Sequence, residues 1–128
     1  GGPVDRALIA FAVAAAAMAA APVAAAGDPE AGQEAFSTYC GDCHSTSDDL
    51  KNRKGPSLFG IIGRKAGTVP GFEYSEANLA SGWVWSADIL RTYLPDPRAA
   101  MPGTKMKFDG VGDPTEVEDI IAFLETRR

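Results

Sequence analysis

The sequence predicts an all-α domain, and three observations carry that prediction. Helix-start chemistry appears near both ends of residues 27–128, each time as Asp-Pro with a Glu close behind. Apolar residues follow each start at helical spacing. No stretch sustains the period-2 alternation of a half-buried strand. With 128 residues, 45% of them apolar and 23% charged, the chain has the size and composition of one folded domain rather than of a disordered segment.

The first 26 residues stand apart. From Ala7 to Ala26 no residue is charged, Arg6 precedes the run, and Ala24-Ala25-Ala26 provides small residues at a cleavage spacing just before Gly27. Residues 1–26 read as an export signal and 27–128 as the functional domain, which predicts a protein exported from the cytosol. The alternative is an uncleaved membrane anchor, since about 20 apolar residues can span a bilayer. Alanine inserts less strongly than Leu or Ile, and Pro22 interrupts the run, so cleavage is favoured.

The first helix is predicted from "DPEAGQEAFSTYC". Asp28 is its N-cap, Pro29 takes the first helical position, and Glu30 and Glu34 lie near the positive end of the dipole. Ala31, Ala35, Phe36 and Tyr39 form a short apolar stripe that leads into Cys40. Ser75 caps a brief turn through Leu79, and Ser86 caps "ADILRTYL", which Pro95 and Pro97 stop. The last helix repeats the opening signal, with Asp113 as N-cap and Glu116 placed for a capping box, followed by Val117, Ile120, Ile121 and Leu124 on one face.

Between these helices run long loops, "KNRKGPSLFGIIGRKAGTVPGF" and "PDPRAAMPGTKMKF". Loops of this length inside a small domain are usually functional, and they leave few helical residues to build a core. Something apolar must fill the centre.

The net charge of −5 argues against a nucleic-acid binder, which needs a concentrated basic surface. The charge is segregated, however. Gly27 to Leu50 holds six acids and no Lys or Arg; Lys51 to Lys107 holds nine bases and four acids; the rest has six acids against Arg127 and Arg128.

Both cysteines and the single histidine fall in Cys40-Gly41-Asp42-Cys43-His44. A redox dithiol needs a thiolate stabilised at a helix N-terminus, but here the helix precedes the motif. Structural zinc needs four donors, and the chain has no further Cys or His. Covalent haem attachment uses all three residues: two thiols add across the vinyl groups and the adjacent imidazole meets the iron. A haem would also fill the missing core. The iron then needs either an open site or a further ligand; with no second histidine, a low-spin carrier must use Met, Lys or an unusual donor, and the methionines of residues 27–128 are Met101 and Met106. The chemistry alone does not choose between them.

On the quoted stretches "AFSTYCGDCH", "GPSLFGIIGRKAGTVPGFEYSEAN", "YLPDPRAAMPGTKMKFDG" and "DIIAFL", Gly27 to Arg128 resembles the class I c-type cytochromes, in particular mitochondrial cytochrome c and its bacterial soluble relatives. The resemblance implies a cytochrome c fold: three to five helices and long loops wrapped around one haem c, held through Cys40 and Cys43, with the terminal helices crossing at Gly32, Phe36 and Phe123. It selects Met106 of "PGTKM" as the iron ligand opposite His44 and leaves Met101 to packing. It also implies that the Pro56 carbonyl accepts from the imidazole, that the Tyr93 hydroxyl approaches the ligand sulfur, and that Tyr74, Asn78, Trp85 and Thr104 serve the propionate edge, with Arg64 as countercharge.

The function so implied is one-electron transfer rather than enzymatic turnover. The protein is expected to be a monomeric carrier between a quinol-oxidising cytochrome bc complex and a terminal oxidase or photosynthetic reaction centre. Arg98, Lys105 and Lys107 are expected near the exposed haem edge, as a docking patch on an otherwise acidic protein. Tyr39 stands where mitochondrial forms carry a lysine, which weakens that patch. The alternative function is a haem enzyme or gas-binding protein in which Met106 dissociates.

Overall fold

The computed structural model describes residues 27–128; the segment read as an export signal, residues 1–26, lies outside the described residues. Five helices follow one another: α1 (Pro29–Tyr39), α2 (Glu76–Ala80), α3 (Ala87–Tyr93), α4 (Pro97–Ala100) and α5 (Pro114–Glu125). Among the described residues the only β pairing is an isolated bridge between Lys65 and Val84.

The caps form where side chains and backbone chemistry place them. Asp28 accepts from the Glu30 amide at 2.9 Å, and α1 ends with Cys40 as its C-cap. Ser75 and Ser86 cap α2 and α3 through the amides of Asn78 and Ile89. Asp113 accepts from the Thr115 amide at 2.8 Å. The predicted capping box does not close, because the Glu116 carboxylate accepts instead from the Tyr39 hydroxyl at 2.9 Å. That phenol arrives from the far end of α1, so a tertiary donor replaces the local one. The second proline of "PDPRAA" also acts differently from expectation. Pro97 opens the short α4, with Asp96 capping it through the Ala99 amide, since a proline at the first helical position loses no hydrogen bond.

The frame of the molecule is the crossing of α1 and α5. Phe36 packs on Phe123 with ring centroids 5.5 Å apart, and the Asp28 amide donates to the Asp119 carboxylate at 2.8 Å. Val117, Ile120, Ile121 and Leu124 are all buried, as their spacing predicts. On α1 the match is partial. Ala35 and Phe36 are buried, but Ala31 is only half-buried and Tyr39 is 36% exposed, because α5 crosses at Gly32–Phe36 and the ends of the stripe overhang it. Gly32 makes the close approach possible: a Cβ there would collide with the Asp119 carbonyl and lie 2.9 Å from the Cβ of Phe123.

Gly32→Ala separates two opposing predictions. Intrinsic helix propensity alone favours Ala by about 1 kcal/mol. Forcing a methyl into backbone contact costs about 1–3 kcal/mol. We expect net destabilisation in urea unfolding of the haem-loaded protein; a midpoint equal to or above wild type would show that the helices can part without cost.

Candidate functional site

Enclosed by α1, α3, α5 and the long loops is a cavity of about 350 Å³, within the range of small-molecule and cofactor sites. Leu58 and Ile61 come from the loop after the cysteine motif, Leu90 and Leu94 from the α3 region, and Ile120 and Leu124 from α5; together they make its walls apolar. Every site residue predicted from the sequence lines this one cavity: Cys40, Cys43 and His44; Pro56 and Arg64; Tyr93, Thr104 and Met106; and Tyr74, Asn78 and Trp85.

One side is built by the end of α1. The Cys40 amide donates to the Phe36 carbonyl as the cap of α1, and the His44 amide to the Cys40 carbonyl, so a hydrogen-bonded turn directly after the helix holds the motif. His44 Nδ1 donates to the Pro56 carbonyl at 2.8 Å, which leaves Nε2 with a lone pair to offer. Burial lowers the imidazole pKa, opposed by the Pro56 bond, and so favours the neutral ring that a metal requires. Gly55 has to be glycine: a Cβ there would lie 2.7 Å from His44 Nδ1. This residue was not singled out from sequence, although its place beside Pro56 was a usable signal. Both cysteines are free of disulfide, and burial together with Cys43 pushes the Cys40 thiol up to about 12. A dithiol reductant needs the opposite shift. Among the described residues no group of three or more Cys, His, Asp and Glu side chains could hold a metal ion, so the zinc knuckle finds no donor set.

Met106 faces the same cavity from the other long loop. The Tyr93 hydroxyl donates to its Sδ at 3.8 Å, a long contact suited to sulfur, and Thr104 Oγ1 accepts from its amide at 3.2 Å. Trp85 braces Tyr93 edge-on with centroids 5.0 Å apart. Met101, the other candidate, is 3% exposed in the packed core and does not line the cavity.

At the polar edge, the Tyr74 hydroxyl accepts from the Val69 amide at 3.0 Å. The Arg64 guanidinium donates to the carbonyls of Ser57, at 2.6 Å, and Phe59, and burial lowers its pKa. Asn78 Oδ1 is buried without a hydrogen-bond partner among the described residues. An amide oxygen left unpaired beside an apolar cavity costs about 1–3 kcal/mol; turning the amide about its last bond would relieve the oxygen and point Nδ2, a donor, at an anionic ligand group such as a carboxylate. Free thiols at haem-attachment spacing, a neutral imidazole, a thioether, apolar walls and an unpaired polar rim fit a haem and its propionates.

The basic residues expected beside the opening divide. Lys105 and Lys107 line the cavity, as do Lys54 and Lys65, which sequence reasoning passed over. Lys105 donates to the Glu73 carbonyl and sits 4.8 Å above the Phe72 ring. Arg98 does not line the cavity and instead pairs with Asp109 at 2.8 Å.

The profile of the family described as "Cytochrome c" matches residues 29–128. Cytochrome c2 of Rhodopila globiformis is 49% identical over 102 residues, which cover 78% of this chain and 93% of that protein. Cytochrome c of Cochliobolus lunatus is 42% identical over 99 residues, or 77% of this chain and 92% of that one. Among solved structures, cytochrome cH from Methylobacterium extorquens superposes with a TM-score of 0.73 at 44% identity, over 78% of this chain and 99% of that chain. A match of this breadth, joined to a cavity lined by the attachment cysteines and His44, makes the chain a member of the cytochrome c family, an electron-transport protein carrying one covalently bound haem c.

Proposed function

We propose that the protein is a periplasmic single-electron carrier whose haem iron is ligated by His44 and Met106, and that it shuttles electrons from a quinol-oxidising cytochrome bc complex to a terminal oxidase or photosynthetic reaction centre. The observation that carries the ligand pair is the placement of the two methionines: Met106 lines the cavity under the Tyr93 hydroxyl, whereas Met101 is packed in the core. When bound, the haem supplies the Fe(III)/Fe(II) couple. His44 and Met106 hold the metal from two loops, Cys40 and Cys43 tether the ring, and Asn78, Tyr74, Trp85, Thr104 and Arg64 receive its polar edge.

The remaining contributions are those of the polypeptide. The Pro56 carbonyl fixes the imidazole tautomer and increases its basicity. The Tyr93 hydroxyl restrains the sulfur, and apolar side chains such as Leu58 and Ile120 exclude water, so little needs to rearrange when charge changes. That restraint favours the carrier over an enzyme or gas-binding protein, which would need Met106 to leave. Among the described residues no helix is long and apolar enough to cross a membrane, and export through residues 1–26 is part of the proposal.

Docking is assigned to the basic rim of the cavity. Of the three charges expected there, Lys107 is the most available: among the described residues its ammonium makes no ion pair, whereas Lys105 is engaged by Glu73 and Arg98 by Asp109. The Arg98–Asp109 pair is exposed and weak, so an acidic partner can displace it. Charge steering of this kind sets encounter rate more than affinity.

Met106→Ala is expected to abolish the His/Met absorption band and to lower the reduction potential by on the order of 0.1 V, a fraction of the roughly 0.8 V that axial ligands span. Met101→Ala should leave the band in place and cost about 2–5 kcal/mol of stability as a core truncation. The opposite assignment of effects would transfer the ligand role to Met101. Lys107→Glu is expected to slow reduction by an isolated cytochrome bc complex at low salt, with the difference fading as the Debye length shrinks from about 10 Å at 0.1 M towards about 3 Å at 1 M. A rate indifferent to both charge and salt would remove docking from this rim.

A further inference from the structure

The segment that carries His44 and the segment that carries Pro56 are irregular, and three hydrogen bonds join them. Gly55 N–H donates to the Cys43 carbonyl at 2.7 Å, His44 Nδ1 to the Pro56 carbonyl at 2.8 Å, and Leu58 N–H to the Ser45 carbonyl at 2.8 Å. A single residue from the other end of the chain closes this ladder. Arg127 lies just past α5, where its own amide continues the last turn by donating to Leu124 at 3.0 Å. Its Nε and Nη2 donate to the Thr46 carbonyl at 3.2 and 3.1 Å, and its carbonyl accepts from the Gly60 amide at 2.6 Å. Thr46 is two residues beyond His44, and Gly60 four beyond Pro56.

We propose that Arg127 is a positioning residue for His44. By clasping Thr46 and Gly60 to the end of α5, it holds the two segments in register, so that the Pro56 carbonyl stays in line with Nδ1 and the ring keeps the tautomer that offers Nε2. The physical case rests on where the clasp acts. Segments without regular structure open locally at low free energy, and the Nδ1–Pro56 bond is lost whenever this ladder separates. Charge-assisted donors on one carbonyl, from a half-buried guanidinium, are among the stronger restraints available to such a loop. α5 provides the fixed reference, because it is anchored on α1 and contributes Leu124 to the cavity wall.

The inference rests on the reading of His44 as an iron ligand, and its test keeps the two apart. In the haem-loaded full chain, hydrogen exchange of the His44 Nδ1 proton is followed by NMR through its iron-shifted resonance. Arg127→Met keeps the aliphatic stem and removes the donors; exchange is expected to quicken about tenfold, equivalent to about 1.4 kcal/mol, near the worth of a charge-assisted hydrogen bond. Arg127→Lys should recover most of the protection, since a single carbonyl needs only one donor. Arg91→Met, which breaks an exposed pair with Glu118 elsewhere on α5, should leave the exchange unchanged even if it lowers stability. Should the Met variant not accumulate, Arg127→Gln, with a shorter reach, carries the same comparison. Unchanged exchange in the Arg127 variants, or equal acceleration by Arg91→Met, overturns the positioning role. A wild-type His44 resonance without an iron-induced shift overturns the ligand assignment itself, and with it this inference.

Discussion

Backbone contact between α1 and α5 at Gly32 is the constraint from which the rest of the structure hangs. Because that glycine has no Cβ, the two helices meet closely enough for Phe36 to pack at a tilt on Phe123 and for the Asp28 amide to donate to the Asp119 carboxylate. The crossing fixes where α1 ends, and so where Cys40, Cys43 and His44 begin. It also sets Ile120 and Leu124 as part of the wall opposite and carries Arg127 to the loop behind the imidazole. Helices of 11 and 12 residues are marginal alone in water; here each supplies the apolar surface that the other needs.

The cavity follows from what the crossing cannot fill. Five helices, two of them of five and four residues, leave the centre to irregular loops, and loops carry their polar backbone at a cost unless each amide finds a partner. Much of the hydrogen bonding in the loops therefore serves this need: Asn52 bridges Ser57 and Pro70, Arg64 binds two carbonyls, and Arg53 reaches the Gly41 carbonyl inside the cysteine motif. The haem of a cytochrome c completes a core that the polypeptide leaves open. Hydrogen bonds tie residues on both sides of the cavity, His44 to the Pro56 carbonyl and Met106 to the Tyr93 hydroxyl.

Charge has a second layout, laid over the first. Acidic residues gather on the terminal helices, where they cap, pair with Arg91 or accept from Tyr39, while lysines collect at the cavity rim. A protein of net charge −5 can thus still present a positive face. That face is smaller than the count of bases in the middle of the chain, because Arg98 lies off the cavity and is paired with Asp109.

The local chemistry of this protein was legible in its sequence. Asp28, Ser75, Ser86 and Asp113 announce their helices because an N-cap acts within two or three residues, and Cys40, Cys43 and His44 announce a haem because the attachment spacing is local too. Tertiary structure decided what depends on residues far apart. Glu116 turned from its own cap to Tyr39, 77 positions away, and Gly55 became obligatory only because the His44 ring lies against it. Met101 and Met106 are alike as isolated thioethers, and the fold sends one to the core and the other to the cavity. Arg127 reads as a terminal surface charge until the crossing of α1 and α5 brings it to Thr46, 81 residues earlier. Short-range hydrogen bonds are written in neighbouring residues; which distant donor meets which acceptor is set only when the helices pack.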